Sequence, residues 1–114
     1  MARATGTTAG ELTDTAMHVM LALTTPRHGY AAMQYLEEES DGEITLGPAT
    51  LYTTLKKLVG AELIDELDGT GSRRTYVCTD RGREVLTANI ERRRRLLAMA
   101  DHIQAVPTST QEES

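Results

Sequence analysis

The chain has 114 residues and a formal net charge of −5, with 39% hydrophobic and 25% charged residues, which fits one soluble globular domain but hardly two. Phe and Trp are absent and aromatics amount to 4%, so the core must come from Leu, Val, Ile, Met and Ala, thin enough to suggest a dimer that shares its core. The single cysteine, Cys78, excludes an intramolecular disulfide, argues against a thiolate metal cluster and fits a reducing cytoplasm, while nothing resembles a membrane span or an export signal.

An acidic protein with a pI near 5.1 is not an obvious partner for nucleic acid. Charge is segregated, however: Glu37, Glu38, Glu39, Asp41 and Glu43 form an acidic block, whereas all basic residues except Arg3 and Arg27 lie from Lys56 onward. Such segregation can build a local basic patch on an acidic chain.

Residues 1–10 are small and polar and read as a mobile tail. A helix is expected from Glu11 to about Thr24, with Leu12, Ala16, Val19, Met20 and Leu23 on one stripe and Met17, Leu21 and Ala22 outside it. A helix apolar on more than one side is buried on more than one side, either in a monomer core or against a second subunit. Thr25-Pro26 ends it, and a second helix follows Arg27-His28-Gly29 and reaches about Ser40. After the turn at Asp41-Gly42, Ile44-Thr45-Leu46 alternates like a short strand.

Gly47-Pro48 then opens a third helix, since proline at the first helical position brings a preset φ and loses no bond. Leu51, Leu55 and Leu58 form its apolar stripe, and Ala49, Thr53, Lys56 and Lys57 cluster opposite, with Thr50 and Tyr52 at the margins. That outer face has hydroxyls, a phenol and ammonium groups but no carboxylate, the residue types that contact phosphates and bases. An ordinary solvated face is the alternative for this helix taken alone.

Two strand-like runs follow, Leu63–Leu67 and Thr75–Thr79, joined by a glycine-rich turn that carries Arg73 and Arg74. A hairpin directly after a helix-turn-helix is a wing, and paired arginines at its tip can reach phosphates or a minor groove. A last helix is expected from Thr79-Asp80 to about Val106, ahead of Pro107, with residues 107–114 as a polar tail. At about 39 Å it exceeds what one small domain needs. Its run Arg92–Arg95 reads as a solvated stripe pairing with Glu91 or the acidic block, with DNA contact as the alternative.

His28-Gly29-Tyr30, Pro48-Ala49-Thr50-Leu51-Tyr52 with Leu55 and Leu58, Leu63-Ile64, and Arg73-Arg74-Thr75-Tyr76 with Thr79 and Gly82 together resemble the PadR family of winged-helix transcriptional regulators. The chain departs from the family pattern at Gly47, Ala49 and Thr53, where the family has serine, glycine and proline. It departs again at Glu62, where the family has glycine, so the third helix must end either through Gly60 or with Glu62 left-handed. The resemblance implies a homodimer built on the first and last helices. It also implies repressor activity, and a two-fold dimer would in turn require an operator that is an inverted repeat. Relatives bind small planar molecules at the dimer interface, but four tyrosines and no tryptophan offer little to stack on, and no effector is assigned.

The expectation is therefore a mainly α chain with a small β-hairpin: a winged helix-turn-helix over 11–79 and a dimerisation helix over 80–106. Double-stranded DNA would meet Thr50, Tyr52, Thr53, Lys56 and Lys57 of the recognition helix, about 48–60, and Arg73 and Arg74 of the wing, about 63–79. His18, His28 and His102 are scattered, no spacing suggests a metal, cofactor or catalytic site, and no enzyme is expected. The alternative is a winged-helix module that binds protein and not DNA.

Overall fold

The computed structural model describes residues 10–69 and 73–113, with side chains as far as residue 105; all but Gly10 of the expected N-terminal tail, and residues 70–72 of the wing, lie outside the described residues. The order is α1 (Asp14–Ala22), β1 (Arg27–His28), α2 (Gly29–Glu39), α3 (Pro48–Gly60), β2 (Ile64–Glu66), β3 (Thr75–Cys78) and α4 (Asp80–Glu113). The strands form one antiparallel sheet in the order β1-β3-β2.

Helix α1 begins three residues later than its apolar pattern suggests, because the Thr13 hydroxyl accepts the Ala16 N–H at 3.0 Å and caps it there. Met17, Val19, Met20 and Ala22 are all buried, as expected of a helix covered on more than one side. Arg27 closes the α1–α2 corner. Its Nε donates to the Ala22 carbonyl at 2.7 Å, and its guanidinium lies 3.7 Å from the Tyr35 ring centroid.

The expected strand at Ile44–Leu46 does not form. Its place in the sheet is taken by Arg27–His28, which pair with Tyr76 and Thr75 along the edge of β3. Ile44 and Leu46 instead pack half-buried on the core from irregular chain, and the Ser40 hydroxyl accepts the Ile44 N–H at 2.8 Å. Alternation supplied the apolar contacts of a strand without a pairing partner: the sheet is made of β1, β3 and β2, and residues 44–46 join neither of its edges.

Helix α3 starts at Pro48 as its sequence suggests and buries Leu51, Leu55 and Leu58 against α1 and α2. Its end is a Schellman motif: the Glu62 N–H donates to Val59 O at 2.9 Å and the Leu63 N–H to Leu58 O at 3.0 Å. Glu62 pays the conformational cost with φ of 64°.

Thr79 caps α4, its hydroxyl accepting the Gly82 N–H at 2.8 Å and donating to the Glu62 carbonyl at 2.9 Å. Gly82 allows the first turn of α4 to lie on the Leu63 carbonyl, where a Cβ would stand 1.9 Å from that oxygen. The helix does not stop at Val106 but continues through Pro107 to Glu113. An interior proline removes one donor and crowds the carbonyl four residues earlier. Here that carbonyl belongs to Ile103, on an exposed turn where water can take the freed acceptor.

Candidate nucleic-acid interface

The outward face of α3 brings Thr50, Thr53, Lys56 and Lys57 together in solvent, because the leucine stripe fixes the rotation of the helix about its axis. Its sequence contains no acid, so none of its own residues offsets the two lysines. Tyr52 is placed differently. It is half-buried with its ring against Gly29, where a Cβ would stand 3.2 Å from Tyr52 Cε1. Its part is to seat α3 on the start of α2, and it offers an edge to any partner but not a free side chain.

Beyond Tyr52 a cleft of about 370 Å³ separates α3 from the wing, lined by Tyr52, Lys56, Val59, Glu66, Arg74 and Tyr76. The pairing of Glu66 with Tyr76 across β2 and β3 brings the Glu66 carboxylate to the Arg74 guanidinium, and the two form an ion pair. Glu66 pushes the Arg74 guanidinium above its already high ordinary value, first by the hydrogen bond and then by its charge. Burial, then the Glu66 charge, pushes the Tyr76 phenol up. The two wing arginines thus differ. Arg73 is exposed and, among the described residues, makes no ion pair, whereas Arg74 is committed to Glu66.

The arginine run on α4 is more specific than a solvated stripe. Arg94 does lie 3.5 Å from Glu91, but Arg93 pairs with Asp14 at 2.7 Å and Arg92 donates to the Gly10 carbonyl at 2.6 Å. Between them sits Asn89, the buried polar side chain of this helix, which accepts the Leu12 N–H and donates to the Gly10 carbonyl, both at 3.0 Å. Asn89 was not legible as a structural residue. The available signal was its position three residues from buried Leu86 and one from half-buried Ile90, on the packed side of the helix.

Among the described residues no three His, Cys, Asp or Glu side chains are placed to hold a metal, and no helix is long and apolar enough to cross a membrane. A helix-turn-helix followed by a hairpin wing, with a hydroxyl- and lysine-bearing third helix, defines a winged-helix protein of the DNA-binding type. Residues 18–88 match the model of the Transcriptional regulator PadR-like family, and the chain belongs to that family, whose members are transcriptional regulators and not enzymes.

A PadR family transcriptional regulator from Eggerthella lenta DSM 2243 is 27% identical, with a TM-score of 0.62 over 81% of this chain and 80% of that one. The fold is also shared with H. salinarum RosR, at 22% identity and a TM-score of 0.63 over 86% of this chain and 98% of that one. It is shared too with Bacillus subtilis PadR in complex with operator DNA, at 23% identity and a TM-score of 0.57 over 68% of this chain and 46% of that one. An uncharacterized 37.1 kDa protein in transposon TN4556 of Streptomyces fradiae is 38% identical over 74 residues, which are 64% of this chain; the matched region is 21% of that protein.

Proposed function

We propose that the chain is a homodimeric, sequence-specific DNA-binding repressor whose α3 enters the major groove while the wing touches adjacent backbone or minor groove. The observation that carries this reading is the outer face of α3, where Thr50, Thr53, Lys56 and Lys57 are exposed together on a helix without acids. Hydroxyls and ammonium groups on a helix of this width suit base edges and flanking phosphates. Bacillus subtilis PadR, which shares the fold, was solved in complex with operator DNA, and this supports DNA as the partner.

The dimer rests on a second observation. Leu96, Leu97, Met99 and Ile103 on α4 are each more than half exposed, and Leu96, Met99 and Ile103 fall on one stripe. Covering the exposed half of each such side chain contributes roughly 1 kcal/mol, a gain that a second copy presenting the same stripe would supply on both sides of the contact. A two-fold dimer sets two α3 helices into successive major grooves, so the operator would be an inverted repeat with half-sites about 34–36 Å apart.

Fluorescence anisotropy of the protein on its own promoter region and on scrambled DNA, over a range of salt, tests the reading. Tight, salt-dependent binding that prefers the promoter is the expected result. The net charge of −5 favours the rival reading, a module that binds protein; failure to bind DNA at the lowest salt would mean either that an effector is required or that the winged helix serves a protein partner, which a pull-down separates.

A further inference from the structure

Helix α4 is anchored on the winged domain only through its first part. Gly82 lies on the Leu63 carbonyl, Leu86 is buried, and Val85 and Ile90 pack half-buried on the core. From Arg94 as far as residue 105 no side chain is buried, so the helix leaves the domain as an arm. Apolar contact is non-directional and would let such a helix tilt or roll. Where the arm departs, polar contacts take over. Asn89 is 1% exposed and uses its whole hydrogen-bonding capacity: Oδ1 accepts the Leu12 N–H and an Arg92 N–H, both at 3.0 Å, while Nδ2 donates to the Gly10 carbonyl at 3.0 Å and the Val85 carbonyl at 2.8 Å. Arg92 also donates to the Gly10 carbonyl at 2.6 Å, and Arg93 donates to the Leu12 carbonyl at 3.4 Å and to the Asp14 carboxylate at 2.7 Å. The point of departure is thereby tied to residues 10–14, which lead into α1.

We infer that this clamp of Asn89, Arg92 and Arg93 on residues 10–14 fixes the angle at which α4 leaves the winged domain, and thereby selects the half-site spacing that the dimer accepts. The inference rests on the reading of the chain as a DNA-binding dimer joined through α4. A buried amide with every bond satisfied holds one arrangement where apolar side chains would accept several. The lever is long. Residues 91–105 extend about 22 Å, so a tilt of about 10° at the clamp moves the far end by about 4 Å, comparable to the rise of about 3.4 Å between base pairs. Asn89, Arg92 and Arg93 are positioning residues, acting on DNA only through the separation of the two α3 helices.

Asp14→Asn and Arg93→Gln break the outer part of the clamp from opposite sides of an ion pair whose side chains are 76% and 40% exposed, so the fold tolerates both. They change the net charge in opposite directions, which separates a loss of geometry from a change of charge. Asn89→Leu removes the inner part. Met33→Ala, on the half-buried side of α2, supplies a variant that is merely destabilised. Each is made in a chain carrying a nitroxide at Glu38→Cys, an exposed position on α2, for pulsed dipolar EPR between the two copies; the chain without Glu38→Cys controls for labelling of buried Cys78. The same proteins are titrated against inverted repeats from the footprinted promoter site, with one or two base pairs inserted between the half-sites or removed. The parent and Met33→Ala are expected to show one narrow distance and a preference of about tenfold or more for one spacing. Asp14→Asn, Arg93→Gln and Asn89→Leu are expected to broaden the distance and to bring the spacings within about threefold of one another, whatever happens to overall affinity. Clamp variants that keep the parent's distance and its spacing preference would overturn the clamp and leave the dimer standing. A parent that shows no distance between copies, or that binds no duplex, would overturn the reading on which the inference rests, and spacing selection with it.

Discussion

The ring of Tyr52 on α3 lies on the backbone of Gly29, the first residue of α2: a Cβ at Gly29 would stand 3.2 Å from Tyr52 Cε1 and 3.3 Å from both the Tyr52 hydroxyl oxygen and Leu55 Cδ1. These distances leave less than ordinary van der Waals room, so the absence of a side chain at Gly29 sets how closely α2 and α3 approach. Gly29→Val is therefore expected to destabilise the domain by about 1–3 kcal/mol through overpacking. A lower urea midpoint with an unchanged slope would register this, and Tyr52→Ala added to Gly29→Val should recover part of the loss. An unshifted midpoint in the single variant would mean that α3 moves freely on α2.

Glu62 carries the opposite kind of constraint, since its left-handed backbone, with φ of 64°, closes the Schellman motif at the end of α3. A β-carbon costs roughly 1–2 kcal/mol there relative to glycine, partly offset because glycine leaves more freedom to the unfolded chain. The Glu62 contact with Thr79 is through the backbone carbonyl and survives a change of side chain. Glu62→Gly is thus expected to raise stability by about 1 kcal/mol, read as a higher urea midpoint. A decrease would show that the side chain contributes more than its conformation costs.

Helix α3 was legible in the sequence because Gly47-Pro48 marks its start and the leucine spacing fixes its buried side. The wing strands were equally plain from two β-prone runs around a glycine-rich turn. What escaped depends on contacts distant in sequence. The third strand is Arg27–His28, two residues without strand character that pair with β3, while the alternating Ile44–Leu46 packs on the core and pairs with no strand. Asn89 looks like a surface polar residue until Gly10 and Leu12, nearly 80 positions away, bring it a donor and an acceptor. At the candidate site the chain placed Thr50, Thr53, Lys56 and Lys57 outward as expected. It gave no means of seeing that Arg74 faces Glu66 or that Tyr52 is committed to Gly29.

Cys78 and Tyr76 predict how stability responds to alkali. Burial pushes the Cys78 thiol up, with Arg83 opposing, and burial likewise pushes the Tyr76 phenol up. A group whose folded pKa is raised stabilises the fold fully below its unfolded value, and that contribution is lost as pH rises through the folded value. With ordinary values of about 8.5 for cysteine and about 10 for tyrosine, stability should fall as pH rises past about 8.5 and fall further past about 10. Cys78→Ala removes the first loss, although it also removes the thiol's contact with the Met20 carbonyl and lowers stability at neutral pH. Denaturant midpoints from pH 7 to 10.5 check this; equally steep declines in the two proteins would exclude Cys78 as the cause.

The Glu66–Arg74 pair sets how much positive charge the wing can offer to DNA. The two side chains are 33% and 41% exposed, so the bond is screened by solvent and its loss costs the fold little. Glu66→Gln keeps the shape of the side chain but releases the Arg74 guanidinium beside Lys56, at the edge of the face assigned to DNA. On the proposed reading it should tighten binding to promoter and scrambled duplexes alike and steepen the dependence of log K on log salt by about one unit, the value of one additional phosphate contact. Arg74→Ala in the wild-type background should lose less affinity than Arg73→Ala, because Arg74 is already neutralised by Glu66. Equal losses from the two arginines, with no gain from Glu66→Gln, would mean that DNA itself breaks the pair and uses both guanidinium groups.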